Sequence, residues 1–143
     1  MYAFLEQTVA DYMTREPKVV SRDLTLRELG DLFERDDFNA YPVEDQSQVI
    51  GVVSKFDFLE AFIFTPAHII PHYDDLMKMT VMDVMTPEFI YVGAQTRLTR
   101  VLQLMVSHRI RSMPVIASNQ RLVGMISRSD VMRALQCCAR SHA

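Results

Sequence analysis

The chain says the same thing twice. Thr8-Val9-Ala10-Asp11-Tyr12-Met13-Thr14 returns as Thr80-Val81-Met82-Asp83-Val84-Met85-Thr86, and Tyr41-Pro42-Val43 returns as Met113-Pro114-Val115. Gly51-Val52-Val53-Ser54-Lys55-Phe56-Asp57 returns as Gly124-Met125-Ile126-Ser127-Arg128-Ser129-Asp130. The first two pairs are offset by 72 positions and the third by 73, which one extra loop residue explains. Without gaps, Thr8 to Val43 matches Thr80 to Val115 at 11 of 36 positions, in runs rather than scattered. That is duplication. A repeated unit of this length is one supersecondary structure that cannot bury its apolar face alone, so the two copies must pack together. The expectation is two units about a pseudo-two-fold axis, with any ligand held between them.

Within each copy the apolar periodicity changes from helix to strand and back. Leu98, Val101, Leu102 and Met105 fall at i, i+3, i+4 and i+7, one stripe on a helix. Leu26, Leu29 and Phe33 hold the equivalent places in the first copy, with Gly30 where Leu102 sits. A short extended stretch precedes each helix: Lys18-Val19-Val20, then Phe89-Ile90-Tyr91-Val92. Two apolar segments follow each helix, separated by the polar loops Glu44 to Gln48 and Ala117 to Arg121, as a hairpin requires. Pro42 and Pro114 cannot donate to a ladder and are expected at strand starts or edges. A second helix closes each copy, its apolar face built from Leu59, Phe62 and Ile63 or from Val131, Met132 and Leu135. The fold class is therefore α+β, two βαββα repeats: residues 1–64, a linker over 65–79, and residues 80–143.

A chain of 143 residues, 49% hydrophobic, is long enough for one compact body with a substantial core. No apolar run is long enough to span a bilayer, so no membrane insertion is expected. Met1 to Glu6 has no basic n-region, which argues against secretion. The adjacent Cys137 and Cys138 would form a strained bridge, and a reducing, cytoplasmic setting follows. A net charge of −3 leaves no general nucleic-acid footprint.

Gly-x-x-Ser-x-x-Asp stands at a strand-to-helix junction in both copies. Gly51 and Gly124 permit close approach to the backbone, which a ligand could use. Ser54 and Ser127 place a hydroxyl at a helix start, where free N–H groups favour phosphate or ribose oxygens. Asp57 and Asp130 are acceptors suited to paired ribose hydroxyls. Ser-x-x-Asp before an apolar run is equally an ordinary capping box. Capping alone, however, requires neither the glycine three residues before the serine nor the Pro-Val step whose proline stands twelve residues upstream in the first copy and thirteen in the second.

Together these residues resemble the cystathionine-β-synthase (CBS) domain family, in which two such repeats pair into a Bateman module. The resemblance runs from about Val9 to Leu135 and rests on Asp11-Tyr12-Met13-Thr14 and Asp83-Val84-Met85-Thr86, both Pro-Val steps and both Gly-x-x-Ser-x-x-Asp motifs. It implies a regulatory module, not an enzyme, that binds AMP, ADP, ATP or S-adenosylmethionine between its repeats and signals to an effector protein. No cofactor is required. By position, Asp57 and Asp130 would hold ribose hydroxyls, with Ser54 and Ser127 nearby. Val52 and Met125 would border adenine, facing Phe38 and Ile110. In relatives such as the AMP-activated protein kinase gamma subunit, basic side chains before one Pro-Val step reach phosphates held mainly by the other repeat. The second copy offers Arg109 and Arg111 with His108; the first offers Asp36, Asp37 and Asn39. The Ser54 and Asp57 site would then receive Arg111 and be the better phosphate site, with Lys55 and Arg128 as further sources of charge; the Ser127 and Asp130 site would face Asn39 and take a nucleoside or stay empty. The family also implies a homodimer.

Two rival readings stay open: a ligand-independent dimerisation scaffold whose motifs serve only as caps, and a redox or metal sensor. His68, His72 and Asp75 have metal-like spacing, but Pro71 breaks it. Cys137 and Cys138 have only Arg133 and Arg140 nearby to lower a thiol pKa. The ten methionines read as core filler. No nucleophile is paired with a base, and no metal-ligand cluster stands out.

Overall fold

A computed structural model describes residues 2–63 and 73–140. In chain order the elements are α1 (Tyr2–Glu6), α2 (Val9–Tyr12), β1 (Thr14–Arg15), β2 (Val20–Ser21), α3 (Leu26–Arg35), β3 (Ala40–Asp45), β4 (Gln48–Ser54), α4 (Lys55–Glu60), α5 (Tyr73–Met77), α6 (Val81–Val84), α7 (Leu98–His108), β5 (Ser112–Ile116), β6 (Leu122–Ser127) and α8 (Arg128–Arg140). The fold is α+β with two three-stranded sheets. His68 and His72 lie outside the described residues.

The chain forms two compact bodies, and neither is simply one repeat. The first body is Lys18–Phe89; the second joins Met1–Pro17 to Ile90–Ala143. Each therefore combines one repeat's sheet and helices with the other repeat's lead-in segment. In the first body β2 runs parallel to β3, and β3 pairs antiparallel with β4. Thr86 then bridges to Val52 on β4. In the second body β5 and β6 form the hairpin, β1 pairs antiparallel with β6 through Thr14↔Met125, and Val92 bridges in parallel to Val115. The two bodies share one internal plan. The extended stretch expected over Phe89–Val92 contracts to the single bridging residue Val92.

The repeated Thr-Val-x-Asp-x-Met-Thr segment can now be accounted for atom by atom. Thr8 and Thr80 cap α2 and α6: the Asp11 and Asp83 carboxylates each accept the threonine backbone N–H at 2.9 Å. Val9 and Val81 are fully buried, each worth about 1.5–3 kcal/mol of transfer free energy. The first N–H groups of these short helices bond neighbouring loops, Val9 to the Thr96 carbonyl and Val81 to the Leu24 carbonyl, both at 2.8 Å. The Met-Thr pair that ends each segment lies against a glycine. A Cβ on Gly51 would meet the Thr86 carbonyl oxygen at 2.8 Å and Met85 sulfur at 2.9 Å; on Gly124 it would meet those of Thr14 and Met13 at 2.7 and 2.8 Å. No glycine among the described residues has positive φ, so space is what these two positions need. The close approach assigned from sequence to a ligand is made by the chain's own lead-in segments.

The core of the first body gathers Val20, Leu26, Leu29, Tyr41, Val43, Val53 and Val81. That of the second gathers Phe4, Val9, Leu98, Val101, Met113, Val115, Ile126 and Val131 among others. Leu98, Val101 and Met105 are buried as expected, but Leu102 is exposed and the stripe is narrower. Gly30, at the matching place, brings α3 close to Phe58, whose ring would lie 3.2 Å from an added Cβ. Leu59 and Met132, on the apolar faces of the closing helices, are also exposed, as is Ile63, which lies beyond the end of α4. Neither proline stands at a strand start: Pro42 is the third residue of the central strand β3, whereas Pro114, the third residue of β5, lies on an edge strand of its sheet as expected. The Pro114 carbonyl accepts from Val92 N–H, and the Val92 carbonyl accepts from Ile116 N–H. Because a strand residue's N–H and C=O point the same way, the missing proline donor falls just where this parallel pairing begins, and no ladder bond is lost.

Candidate functional site

Both Gly-x-x-Ser-x-x-Asp motifs fold into complete capping boxes. Ser54 caps α4: its N–H donates to Asp57 Oδ2 at 2.8 Å, and its Oγ accepts the Asp57 N–H at 3.1 Å. Ser127 N–H donates to Asp130 Oδ2 at 2.9 Å, with the Asp130 N–H reaching Ser127 Oγ at 3.3 Å. Each serine oxygen thus already accepts one bond, and each Oδ2 is committed to its helix start. What remains at each junction is the other carboxylate oxygen, Oδ1.

Here the two copies part. Asp57 is half-buried, and its Oδ1 accepts a hydrogen bond from the Thr86 hydroxyl at 3.2 Å, on the exposed rim. Asp130 is only 6% exposed, and its Oδ1 is ion-paired to Arg133 at 3.2 Å. The same guanidinium donates to the Tyr12 carbonyl at 3.1 Å and lies 5.6 Å from the Tyr12 ring centroid, a cation–π distance. Burial first, then the neighbouring Cys137 and Cys138, raise the Tyr12 hydroxyl above its ordinary pKa. Position 60, which matches Arg133, holds an exposed glutamate, and position 84, which matches Tyr12, holds Val84.

The adjacent strands carry the other residues expected at a site. In the first body the register Ala40↔Ser54 and the bond from Lys55 N–H to the Asn39 carbonyl at 3.0 Å set Phe38 and Asn39 beside the Ser54 cap. Phe38 is 42% exposed, its ring edge-on to Tyr41 at 5.7 Å. Val52 is half-buried and exchanges backbone bonds with Thr86 in both directions, at 3.0 and 2.9 Å. Phe38, Val52, Ser54, Lys55, Asp57 and Thr86 therefore belong to one body. In the second body the Arg128 N–H donates to the Arg111 carbonyl at 2.9 Å, so Arg111 and Arg128, both exposed, flank the Ser127 cap. Met125 is half-buried on β6, paired with Thr14. Ile110 differs from its counterpart Phe38 in packing against the core. α7 ends at Arg109 in the left-handed conformation (φ 54°), a place that glycine usually fills.

Three residues at these junctions carry more than their sequence positions suggested. Thr86 ends a repeated motif but lies 29 residues from Asp57, and only the fold joins them. Arg133 stands i+3 from Asp130 on α8, a helical ion-pair spacing that the sequence does display. Asp36, grouped with Asp37 as an acidic counterpart of the basic side chains, instead anchors the core. Its Oδ2 accepts from the buried Tyr41 hydroxyl at 2.9 Å and its carboxylate pairs with Lys18 at 3.0 Å. The Lys18 hydrogen bond is the main reason its pKa is held below the ordinary 3.8, and burial with Asp36 beside it raises the Tyr41 hydroxyl. Among the described residues no group of three or more His, Cys, Asp or Glu is placed to hold a metal, and no helix is long and apolar enough to cross a membrane.

Comparison with known proteins gives a consistent result. The family model described as CBS domain matches residues 9–63 and again 81–137. The structure of AcuB from Vibrio cholerae superposes with a TM-score of 0.80 at 28% identity, covering 96% of this chain and 97% of that one. CBSX2 of Arabidopsis thaliana, solved in complex with AMP, superposes with a TM-score of 0.79 at 27% identity, covering 92% and 98%. CBSX1 of the same plant, a chloroplastic CBS domain-containing protein, is 28% identical over 94% of this chain and 66% of its own length. The chain spans about half the length of the curated relatives it matches, 46% in the case of MJ1225 of Methanocaldococcus jannaschii.

Proposed function

The chain belongs to the CBS domain family as a tandem pair, and from that premise we propose that it is a regulatory module that senses an adenosine-containing nucleotide and signals to a partner protein. The observation that carries this reading is the Asp57 carboxylate. One oxygen holds the helix cap, while the other, among the described residues, accepts from the Thr86 hydroxyl on an exposed rim, where a ribose hydroxyl can join or replace it. Exposed Phe38 offers a ring face for adenine, Val52 an apolar border, and Lys55 a nearby cation. Arg111 is assigned to the phosphate from its place before the Pro-Val step. A solved relative, CBSX2, holds AMP, which makes AMP the first ligand to test ahead of ADP, ATP and S-adenosylmethionine. The assembly is a homodimer, the setting is cytoplasmic and the module performs no catalysis of its own.

Calorimetric titration with AMP, ADP, ATP, S-adenosylmethionine and adenosine tests this reading. Saturable binding of at least one is expected, with Arg111→Ala weakening AMP far more than adenosine, because only the phosphate loses a charge-assisted partner. A second reading, a ligand-independent scaffold, is favoured by one specific observation: both Ser-x-x-Asp motifs already make their full set of capping bonds. Absence of binding across the whole panel would select it.

A further inference from the structure

The two Asp-containing junctions are copies in sequence but opposite in chemistry, and the difference lies in one helix position. At the first, position i+3 from the aspartate is the exposed Glu60, and Asp57 Oδ1 accepts a neutral hydroxyl at 3.2 Å. At the second, that position is Arg133, and Asp130 Oδ1 is paired with a guanidinium at 3.2 Å. Arg133 is itself fixed from two further directions, by the Tyr12 carbonyl at 3.1 Å and the Tyr12 ring at 5.6 Å. A carboxylate that is almost wholly buried and already has a charged partner gives up that partner for a pair of neutral ribose hydroxyls only at a loss. The charge left behind would be uncompensated, and a hydrogen bond to a neutral donor is weaker than one to a cation.

We propose that Arg133 is a built-in occupant of the second junction, so that the chain takes up one nucleotide, at Asp57, rather than two. This rests on the adenosine reading above and adds to it the number of sites and the residue that sets it. Tyr12 is the positioning residue: its carbonyl and ring hold the guanidinium over Asp130. The first junction lacks this arm because the same helix position, i+3 from Asp57, holds Glu60, which carries the opposite charge.

The test is calorimetric stoichiometry with AMP, on the full chain and three variants, each first checked for a native thermal transition. The unaltered chain is expected to bind one AMP per chain, and Asp57→Ala to weaken that binding roughly tenfold to a hundredfold. Arg133→Leu is expected to bind two per chain. The reciprocal change, Glu60→Arg, sits on an exposed face where folding is safe, and transplants the arm; it should weaken AMP binding at least about tenfold. Two AMP per unaltered chain would overturn the inference while leaving the adenosine reading intact. So would one per chain in Arg133→Leu, or, should that variant not fold, undiminished affinity in Glu60→Arg. No AMP uptake by the unaltered chain or by Arg133→Leu would overturn both.

Discussion

In the proposed function Asp57 does two jobs with its two oxygens, and removing it separates them. Asp57→Ala takes away the Oδ2 cap of α4, which should cost about 0.5–2 kcal/mol of stability. It also takes away the Oδ1 acceptor, which should cost about 1.5–3 kcal/mol of AMP binding, roughly tenfold to a hundredfold in affinity. Denaturant unfolding and calorimetry on the same preparation measure both. A stability loss with affinity unchanged would reduce Asp57 to a cap. Asp36 makes a different kind of prediction. Its folded-state pKa is depressed by Lys18, so the charged form is favoured in the folded chain. The stability it contributes is present above the unfolded value of about 3.9 and is lost as pH falls through the lower folded value. Lys18→Met should lower stability near pH 6 and flatten its decline below about pH 4. A decline identical in the two proteins would show that the pair contributes nothing measurable.

At the scale of elements, the pairing of glycine with the Met-Thr segment explains why three separate motifs recur together. Gly51→Ala forces a methyl group against the Thr86 carbonyl, which is backbone held by two bonds to Val52 and cannot swing aside. A loss of about 1–3 kcal/mol is expected in urea unfolding; an unchanged midpoint would mean that the lead-in segment shifts freely. These pairings also mark where sequence reading stopped. Helices α3 and α7, the two hairpins and the caps at Ser54 and Ser127 were legible because their signals are local: a 3.6-residue period, a polar loop, a serine three residues before an aspartate. Met13 and Gly124 are 111 residues apart, and nothing local announces that one fills the space the other leaves. Pro114 lies on β5, an edge strand of its sheet as expected, but the place of Pro42 on the central β3 was missed for a related reason. Whether a missing N–H matters depends on the neighbouring strand, and here pairing with that neighbour begins only at the proline carbonyl. Leu102, Leu59 and Met132 satisfied an apolar period but lie on helix faces that these bodies leave open, and Ile63 lies beyond the end of α4.

For the molecule as a whole, each compact body is completed by a lead-in segment that begins the other repeat, so neither repeat supplies both edges of its own sheet. Exposed apolar side chains remain, Phe56 and Val106 among them at 67% and 70% exposure. Apolar surface of this kind accords with association, and light scattering at micromolar concentration should return twice the 16.5 kDa chain mass; the monomer mass, with and without AMP, would defeat the homodimer. The site was legible to the extent that its residues recur. Of the proposed site, Ser54, Lys55 and Asp57 were read from one motif, while Phe38 and Val52 were assigned by position from the resemblance. The difference between the two junction carboxylates was not legible, because it depends on which oxygen faces which partner. The most direct test of the central claim is an amide chemical-shift titration of the isotope-labelled chain with AMP. The account predicts saturable shifts concentrated at Phe38, Val52, Ser54 to Asp57 and Thr86, with the Ser127 to Asp130 cap little changed. Shifts centred on Ser127 to Asp130 instead, or none at millimolar AMP, would contradict it.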